Sequence, residues 1–406
     1  MLDFTSALYL GLQHPSSSLP AWSRLSLGKP AALEELPQTS EVERGFAELV
    51  GCDRALAGAS TLHLFWDLFG WFARPGIRIF VDGATYPIGR WGLARAALAG
   101  VPVHYFPEHD VEALRMALDG NNGARPVILA DGFCPACDHA APLREYVELA
   151  ASQDGWVVVD DSQALGLFGR RGGGSLRKFG LTESSAILVS SLAKALGVPM
   201  AMLAGRALDV EQIREHSDIR IHCSPPSVPI LNAAAHALTL NAEMGDCLRA
   251  RLAGRVARFR NGLKQLGLKG NCSLFPMQRL HLPGEWSAEG IYERLLQRQV
   301  RCVLHSGRNN RGAQISFIVT ARHSLEDINE AIYALASAIG GTYAVAQERP
   351  GWTSTPWSTD TQNGPNASEG AYPKRRCQGA KPVGLDAQTT PPLALDAARR
   401  RSRVGA

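Results

Sequence analysis

From residue 77 to residue 192 the chain repeats one pattern: a short apolar run, then a stretch with helical spacing. The runs read "IRIFVDG", "VPVHYF", "PVILADG", "GWVVVDD" and "SAILVSSL". Between several of them lie "RWGLARAALAG", "VEALRMALDG" and "APLREYVELAASQ". Short β-rich runs separated by helices predict an α/β fold, with a mainly parallel sheet covered on both faces. In such sheets ligands bind beyond the C-terminal ends of the strands.

The rest of the chain fits around that repeat. With 406 residues, 45% of them hydrophobic, it can bury a sizeable core and form two domains. Residues 1–40 read as an N-terminal arm broken by Pro15, Pro20, Pro30 and Pro37, and residues 41–227 as the large domain. In "SEVERGFAELVG" we expect a helix capped by Ser40, with Glu43 completing a capping box and Gly51 past the last turn. Residues 228–342 read as a long connecting helix and a smaller C-terminal domain. Residues 343–406 are rich in Pro, Gly, Ser, Thr and charge, and are expected to be disordered.

The net charge is only +4, which gives no reason to expect a nucleic-acid partner. No apolar run approaches the roughly 18 residues that span a membrane, and no signal peptide is read, so a cytoplasmic protein is expected. Its eight cysteines are then expected to be reduced.

Two residues in the repeat carry chemistry. Lys194 follows "SAILVSSL" and stands among Ala, Leu and Gly. Desolvation there lowers a lysine's pKa and makes its amine nucleophilic, as a Schiff-base lysine requires. The plain alternative is a lysine that snorkels from a loop to water. Asp160 ends the apolar run "GWVVVD", and so belongs at the C-terminal edge of the sheet. A carboxylate there can pair with a protonated pyridine nitrogen and make pyridoxal phosphate a better electron sink. The alternative is that Asp160 or Asp161 caps the next turn. A strand-ending Asp, the Gly-rich turn "ALGLFGRRGGG", another strand and then Ser-Ser-x-x-Lys is more specific than any one part.

With these segments in that order, the chain resembles the fold-type-I pyridoxal-phosphate transferases, in the branch of the α-oxoamine synthases and class II aminotransferases. The family's Val-Asp-Glu-Ala-His-Ser-x-Gly-x-x-Gly reads "VDDSQALGLFG" here, and its Thr-x-Ser-Lys-Ala-x-Gly reads "SLAKALG". Its Tyr-Leu-Gly-Leu-x-x-His-Pro reads "YLGLQHP"; near the C-terminal end, "QIS" and "HSLEDI" stand for Arg-Ile-Ser and His-Thr-x-Glu-Asp-Ile. The matches span residues 7 to 340.

The resemblance implies a mainly parallel seven-stranded sheet and a smaller α+β C-terminal domain. It also implies pyridoxal phosphate as cofactor, an amine or amino acid as substrate, an acyl thioester in the synthase branch, and a homodimer with shared active sites. Lys194 would hold the cofactor and move protons at the substrate α-carbon, with Asp160 on the pyridine nitrogen. Ser191, assisted by Ser190, would bind the phosphate, together with the N–H groups of Thr61 and Leu62 at a helix N-terminus. Tyr86 would stack on the ring, unless it is a core tyrosine. Ser224 would reach the phosphate of the neighbouring subunit.

Three departures bear on the substrate. The family His beside the cofactor's phenolic oxygen is Gln163, which donates a hydrogen bond but does not titrate near neutrality. The family Arg that grips the substrate carboxylate is Gln314, and a neutral amide cannot replace a bidentate guanidinium; Arg308 and Arg311 lie nearby as substitutes. Ala7 replaces an Asn. Since Tyr86 stands where oxoamine synthases have a stacking His, amino transfer is placed slightly ahead of acyl condensation. The altered Gln163 and Gln314 also leave open a catalytically silent binding or regulatory protein.

Other signals were weaker. "CPACDH" could bind zinc or do redox chemistry through Cys134, Cys137 and His139, but no second CxxC accompanies it, and no metal site is expected. "RRGGGS" lacks the Gly-Lys-Ser/Thr ending of a phosphate loop. The basic tail reads as a solvated charge run.

Overall fold

The computed structural model describes residues 1–120, 123–182, 184–283, 286–306 and 312–340, all within one compact unit. The tail expected to be disordered lies outside the described residues, as do Arg308 and Arg311.

The chain opens with a two-residue strand, β1 (Leu2–Asp3), and reaches its first long helix at α1 (Pro37–Val50). There follow β2 (Arg54–Gly58), α2 (Thr61–Trp71), β3 (Ile77–Asp82), α3 (Pro87–Leu98), β4 (Val103–Phe106), α4 (Val111–Asp119) and β5 (Arg125–Asp131). Next come α5 (Leu143–Ala151), β6 (Trp156–Asp160), α6 (Gly174–Phe179), β7 (Ala186–Ser191), β8 (Ala201–Gly205), α7 (Ala207–Glu215) and α8 (Asp218–His222). The last third holds α9 (Val228–Gln265), β9 (Met277–Arg279), α10 (Ala288–Gln297), β10 (Val300–Arg301), β11 (Val303–Ser306), β12 (Ala313–Ile318) and α11 (Leu325–Ala338).

A seven-stranded sheet in the order β2-β8-β7-β6-β5-β3-β4 forms the centre. All neighbours are parallel except β8, which is antiparallel to both β7 and β2. The five apolar runs are β3 to β7, so the mainly parallel sheet expected from the repeat is present. Val127, Leu129, Trp156 and Val158 pack in one buried cluster with Phe65 and Phe69 of α2. Ile128, Ala130, Val157 and Val159 pack in another with Phe46 of α1 and Tyr146 of α5. Alternation along each strand thus feeds two cores, one on each face of the sheet.

The C-terminal part is α+β, as expected. The 38-residue helix α9 leads to the antiparallel sheet β11-β12-β9, flanked by α10 and α11. Residues 2–9 are stitched into this part: β1 pairs with β10, Ile318 N donates to Phe4 O at 2.8 Å, and Ala321 N donates to Tyr9 O at 2.8 Å.

One local expectation is corrected. Helix α1 starts at Pro37, with Leu36 as N-cap and no side-chain cap, so Ser40 is an interior residue. Proline is favoured at the first helical position, where its missing N–H costs nothing. Glu43 is no capping-box partner; it accepts from Ala57 N at 2.9 Å and pairs with Arg214 at 2.7 Å. Gly51 does end the helix, in the left-handed conformation.

Candidate active site

Three parallel strands end in aspartate at one edge of the sheet: Asp82 on β3, Asp131 on β5 and Asp160 on β6. Register sets Asp131 beside Asp160 on the adjacent strand, and both are buried. Asp160 Oδ1 accepts from Ser162 N at 3.0 Å. Burial, then the neighbouring Asp160 charge, push the Asp131 carboxyl well above the usual carboxylate range. Asp131 Oδ1 accepts the backbone N–H of Tyr86 at 3.1 Å.

Lys194 lies in the turn between β7 and β8, at the same edge. Burial lowers the pKa of its ammonium, and the charges of Asp160 and Asp131 act against that shift. Both carboxylates therefore lie within electrostatic reach of the lysine. The lysine is half-buried, beside two acids, rather than snorkelling to open water.

The motif residues hold this turn in place. Gly166, at φ +78°, approaches the turn so closely that an added Cβ would lie 2.4 Å from Ala195 Cβ. Only glycine meets both demands. His14 Nε2 lies 2.9 Å from Leu196 O. Tyr9 O–H donates to Gln163 Oε1 at 2.7 Å, which leaves the Gln163 amide N–H groups as donors. The segment "YLGLQHP" therefore braces both the lysine turn and Gln163. Asp161 does not cap the next turn with its side chain; its Oδ2 accepts from Ser175 N at 2.9 Å, tying the Gly-rich loop to the sheet. Burial raises its pKa to about 6.

The other candidates take different positions. Ser191 N donates to Ser162 Oγ at 2.9 Å. By alternation Ser191 lies on the face of Ile187 and Val189, which share a core cluster with Leu64 and Phe65 of α2. Ser190 is fully buried on the other face, and its Oγ has no hydrogen-bond partner among the described residues. Helix α2 is capped by Ser60, whose side chain accepts from His63 N at 3.3 Å. The N–H groups of Thr61 and Leu62 have no acceptor within the helix, because a helix leaves its first N–H groups unsatisfied. Tyr86 is 55% exposed, so it is not a core tyrosine. Ser224 lies exposed between α8 and α9, and no described contact joins it to Lys194. Gln314 lies on β12, opposite His305 on β11.

Asp131 was not singled out from sequence, although a signal was there: "IRIFVD", "PVILAD" and "GWVVVD" all end an apolar run in aspartate. Cys134 and Cys137 form a disulfide, so the expectation of reduced thiols does not hold at this pair.

The donor set suits pyridoxal phosphate. A half-buried amine stands ready for the aldehyde, paired acids for the ring nitrogen, and a capped helix N-terminus on the Ser191 face for the phosphate.

Comparison with known proteins agrees. The model of the aminotransferase class I and II family matches residues 43–335. A curated 8-amino-7-oxononanoate synthase of Cupriavidus taiwanensis is 29% identical over 365 residues, covering 84% of this chain and 88% of that protein. One from Dechloromonas aromatica is 29% identical, covering 82% and 89%. Among solved structures, a serine palmitoyltransferase of Sphingomonas wittichii superposes with TM-score 0.75 at 18% identity, covering 83% of this chain and 86% of that one. The 8-amino-7-oxononanoate synthase of Francisella tularensis does so with TM-score 0.67 at 18% identity, covering 84% and 98%. The chain belongs to the aminotransferase class I and II family, and is a pyridoxal-phosphate-dependent transferase of fold type I.

Proposed function

We propose that this transferase condenses an amino acid with an acyl thioester and releases carbon dioxide, as α-oxoamine synthases do. One observation carries the reading: relatives matched over 88% and 89% of their own lengths are named 8-amino-7-oxononanoate synthases. That supports condensation over the amino transfer suggested by Tyr86.

In this reading Lys194 binds the cofactor and later carries protons to and from the substrate α-carbon. Its lowered pKa keeps a larger share of the amine unprotonated than in an exposed lysine. Pyridoxal phosphate, when bound, supplies a conjugated ring that takes up the electron pair left at that carbon. Asp160 holds the proton on the pyridine nitrogen, Tyr86 covers the ring, and Gln163 donates to the phenolic oxygen. Ser191 and the Thr61 and Leu62 N–H groups hold the phosphate, Ser190 is turned into the opposite core and takes no part in holding it, and Ser224 acts from the second subunit of a homodimer. Gln314 offers no charge to the substrate carboxylate, so this chain does not grip that group with an arginine at this position. A cytoplasmic setting is part of the same proposal.

The test is a panel of amino acids crossed with acyl-coenzyme A esters, using protein reconstituted with pyridoxal phosphate and following coenzyme A and carbon dioxide together. Release of both, lowered at least about 10²–10⁴-fold in Lys194→Ala, is expected from the proton-transfer share alone. Formation of a keto acid from an amino donor without coenzyme A release would mean amino transfer. No turnover of either kind, with no visible absorption band dependent on Lys194, would leave a silent binding protein.

A further inference from the structure

Two loops at the same edge of the sheet bring together a donor set that this chemistry does not use. Glu108 and His109 lie between β4 and α4, and His139 lies between β5 and α5. One ligand atom from each of the three side chains lies within 4.8 Å of the others. We propose that Glu108, His109 and His139 bind a divalent transition-metal ion of the zinc class.

The backbone is unusual at one histidine and immediately before the other. His109 is at φ 57° and Asp138, just before His139, at φ 64°, in the left-handed region that non-glycine residues avoid. The second of these is pinned: the Asp138 carboxylate accepts from Ser273 N at 2.9 Å and from Cys272 N and Ser273 Oγ at 2.5 Å each. Cys134 N donates to His139 O at 3.0 Å, and the Cys134–Cys137 disulfide closes the same loop. His139 is thereby carried against His109, with ring centroids 4.5 Å apart and planes at 63°.

The surroundings suit neutral imidazole ligands. His139 Nδ1 lies 3.1 Å from Ala140 O. Donation to that carbonyl fixes the tautomer whose Nε2 is free to take a metal, the usual outer-shell arrangement for a ligating histidine. Beside His109 stands the fully buried Asp82, with Oδ2 4.0 Å from Nε2. Asp82 is itself oriented by Tyr146 O–H at 2.7 Å and His109 N at 3.3 Å. A carboxylate beside a ligating imidazole is the kind of outer-shell neighbour that orients the ring.

Two nitrogens and one carboxylate oxygen suit zinc, cobalt or nickel better than calcium or magnesium. Zinc bonds of about 2.0–2.2 Å need donors roughly 3.3–3.5 Å apart. Glu108 is exposed at the mouth of the cluster. The disulfide takes Cys134 and Cys137 out of the donor set, so this is not the CxxC site considered from sequence. Only His139 is common to both.

The test uses tag-free holoenzyme without reductant, titrated with zinc chloride by calorimetry and with cobalt chloride by visible absorption. One equivalent per chain is expected. Affinity should fall roughly 100-fold or more in His109→Ala and His139→Ala. Glu108→Gln, at an exposed position that does not threaten the fold, should weaken binding at least about 10-fold and alter the cobalt spectrum. The paired change Cys134→Ser with Cys137→Ser should leave binding in place. No saturable binding by the wild type would overturn the proposal. So would binding that survives the histidine and Glu108→Gln changes, or binding that vanishes only with the cysteines.

Discussion

At Lys194, burial and two carboxylates pull in opposite directions, and burial wins. Between the lowered folded value and the ordinary 10.5, the folded chain holds fewer protons at this site than the unfolded chain. Stability of the cofactor-free protein should therefore rise with pH across that window. Lys194→Met removes the effect, so the variant should be the more stable near neutrality, and the two proteins should converge as pH approaches about 10. Urea unfolding of both across that range measures it; a gap that does not close would contradict the sign. Asp131 behaves in reverse. Its folded value is raised, so its contribution is lost as pH climbs from 3.8 through the folded value. Asp131→Asn keeps an oxygen for Tyr86 N and should stabilise the cofactor-free protein at neutral pH, read as a higher Tm. Much of this site was legible in the sequence. Lys194 and Asp160 followed from a lysine and an acid ending apolar runs. Asp131 was missed because the reading stopped at one strand.

Elements repeat the lesson about local signals. Two serines look like helix caps with an acid three residues on. Ser324 is one: its side chain accepts from Asp327 N at 3.0 Å, and Ser324 N donates to Asp327 Oδ2 at 2.7 Å. Ser40 is not, because Pro37 starts the helix a turn earlier. Ser324→Ala should cost about 1 kcal/mol, while Ser40→Ala should stay within about 0.5 kcal/mol; chemical denaturation of the two variants decides it. Strands β3 to β7 were readable from uniform apolarity. Strand β2, "RALAG", was not. Alanine and glycine have little intrinsic strand preference, and this strand exists because β8 pairs with it along its whole length. Gly166 carries an element-level consequence of its own. Gly166→Ala adds a methyl in a left-handed conformation against Ala195. It should cost at least about 1–3 kcal/mol, and should weaken cofactor retention because the lysine turn moves with it.

For the molecule as a whole, the proposed homodimer predicts a sedimenting species of twice the chain mass, and a monomer would remove Ser224 from the proposed site. The stitching of residues 2–9 matters in another way. Their partners are Arg301, Ile318 and Ala321, hundreds of residues later, while Tyr9 also reaches Gln163 beside the lysine turn. On a ribosome adding roughly 5–20 residues each second, residues 2–9 wait tens of seconds for this seat. Nascent chains arrested before Val300 should therefore be clipped by protease within residues 2–12, and chains released after Ala338 should resist. Residues 2–9 are thus locked only once Arg301, Ile318 and Ala321 have been made, and the lysine turn gains its final brace no sooner.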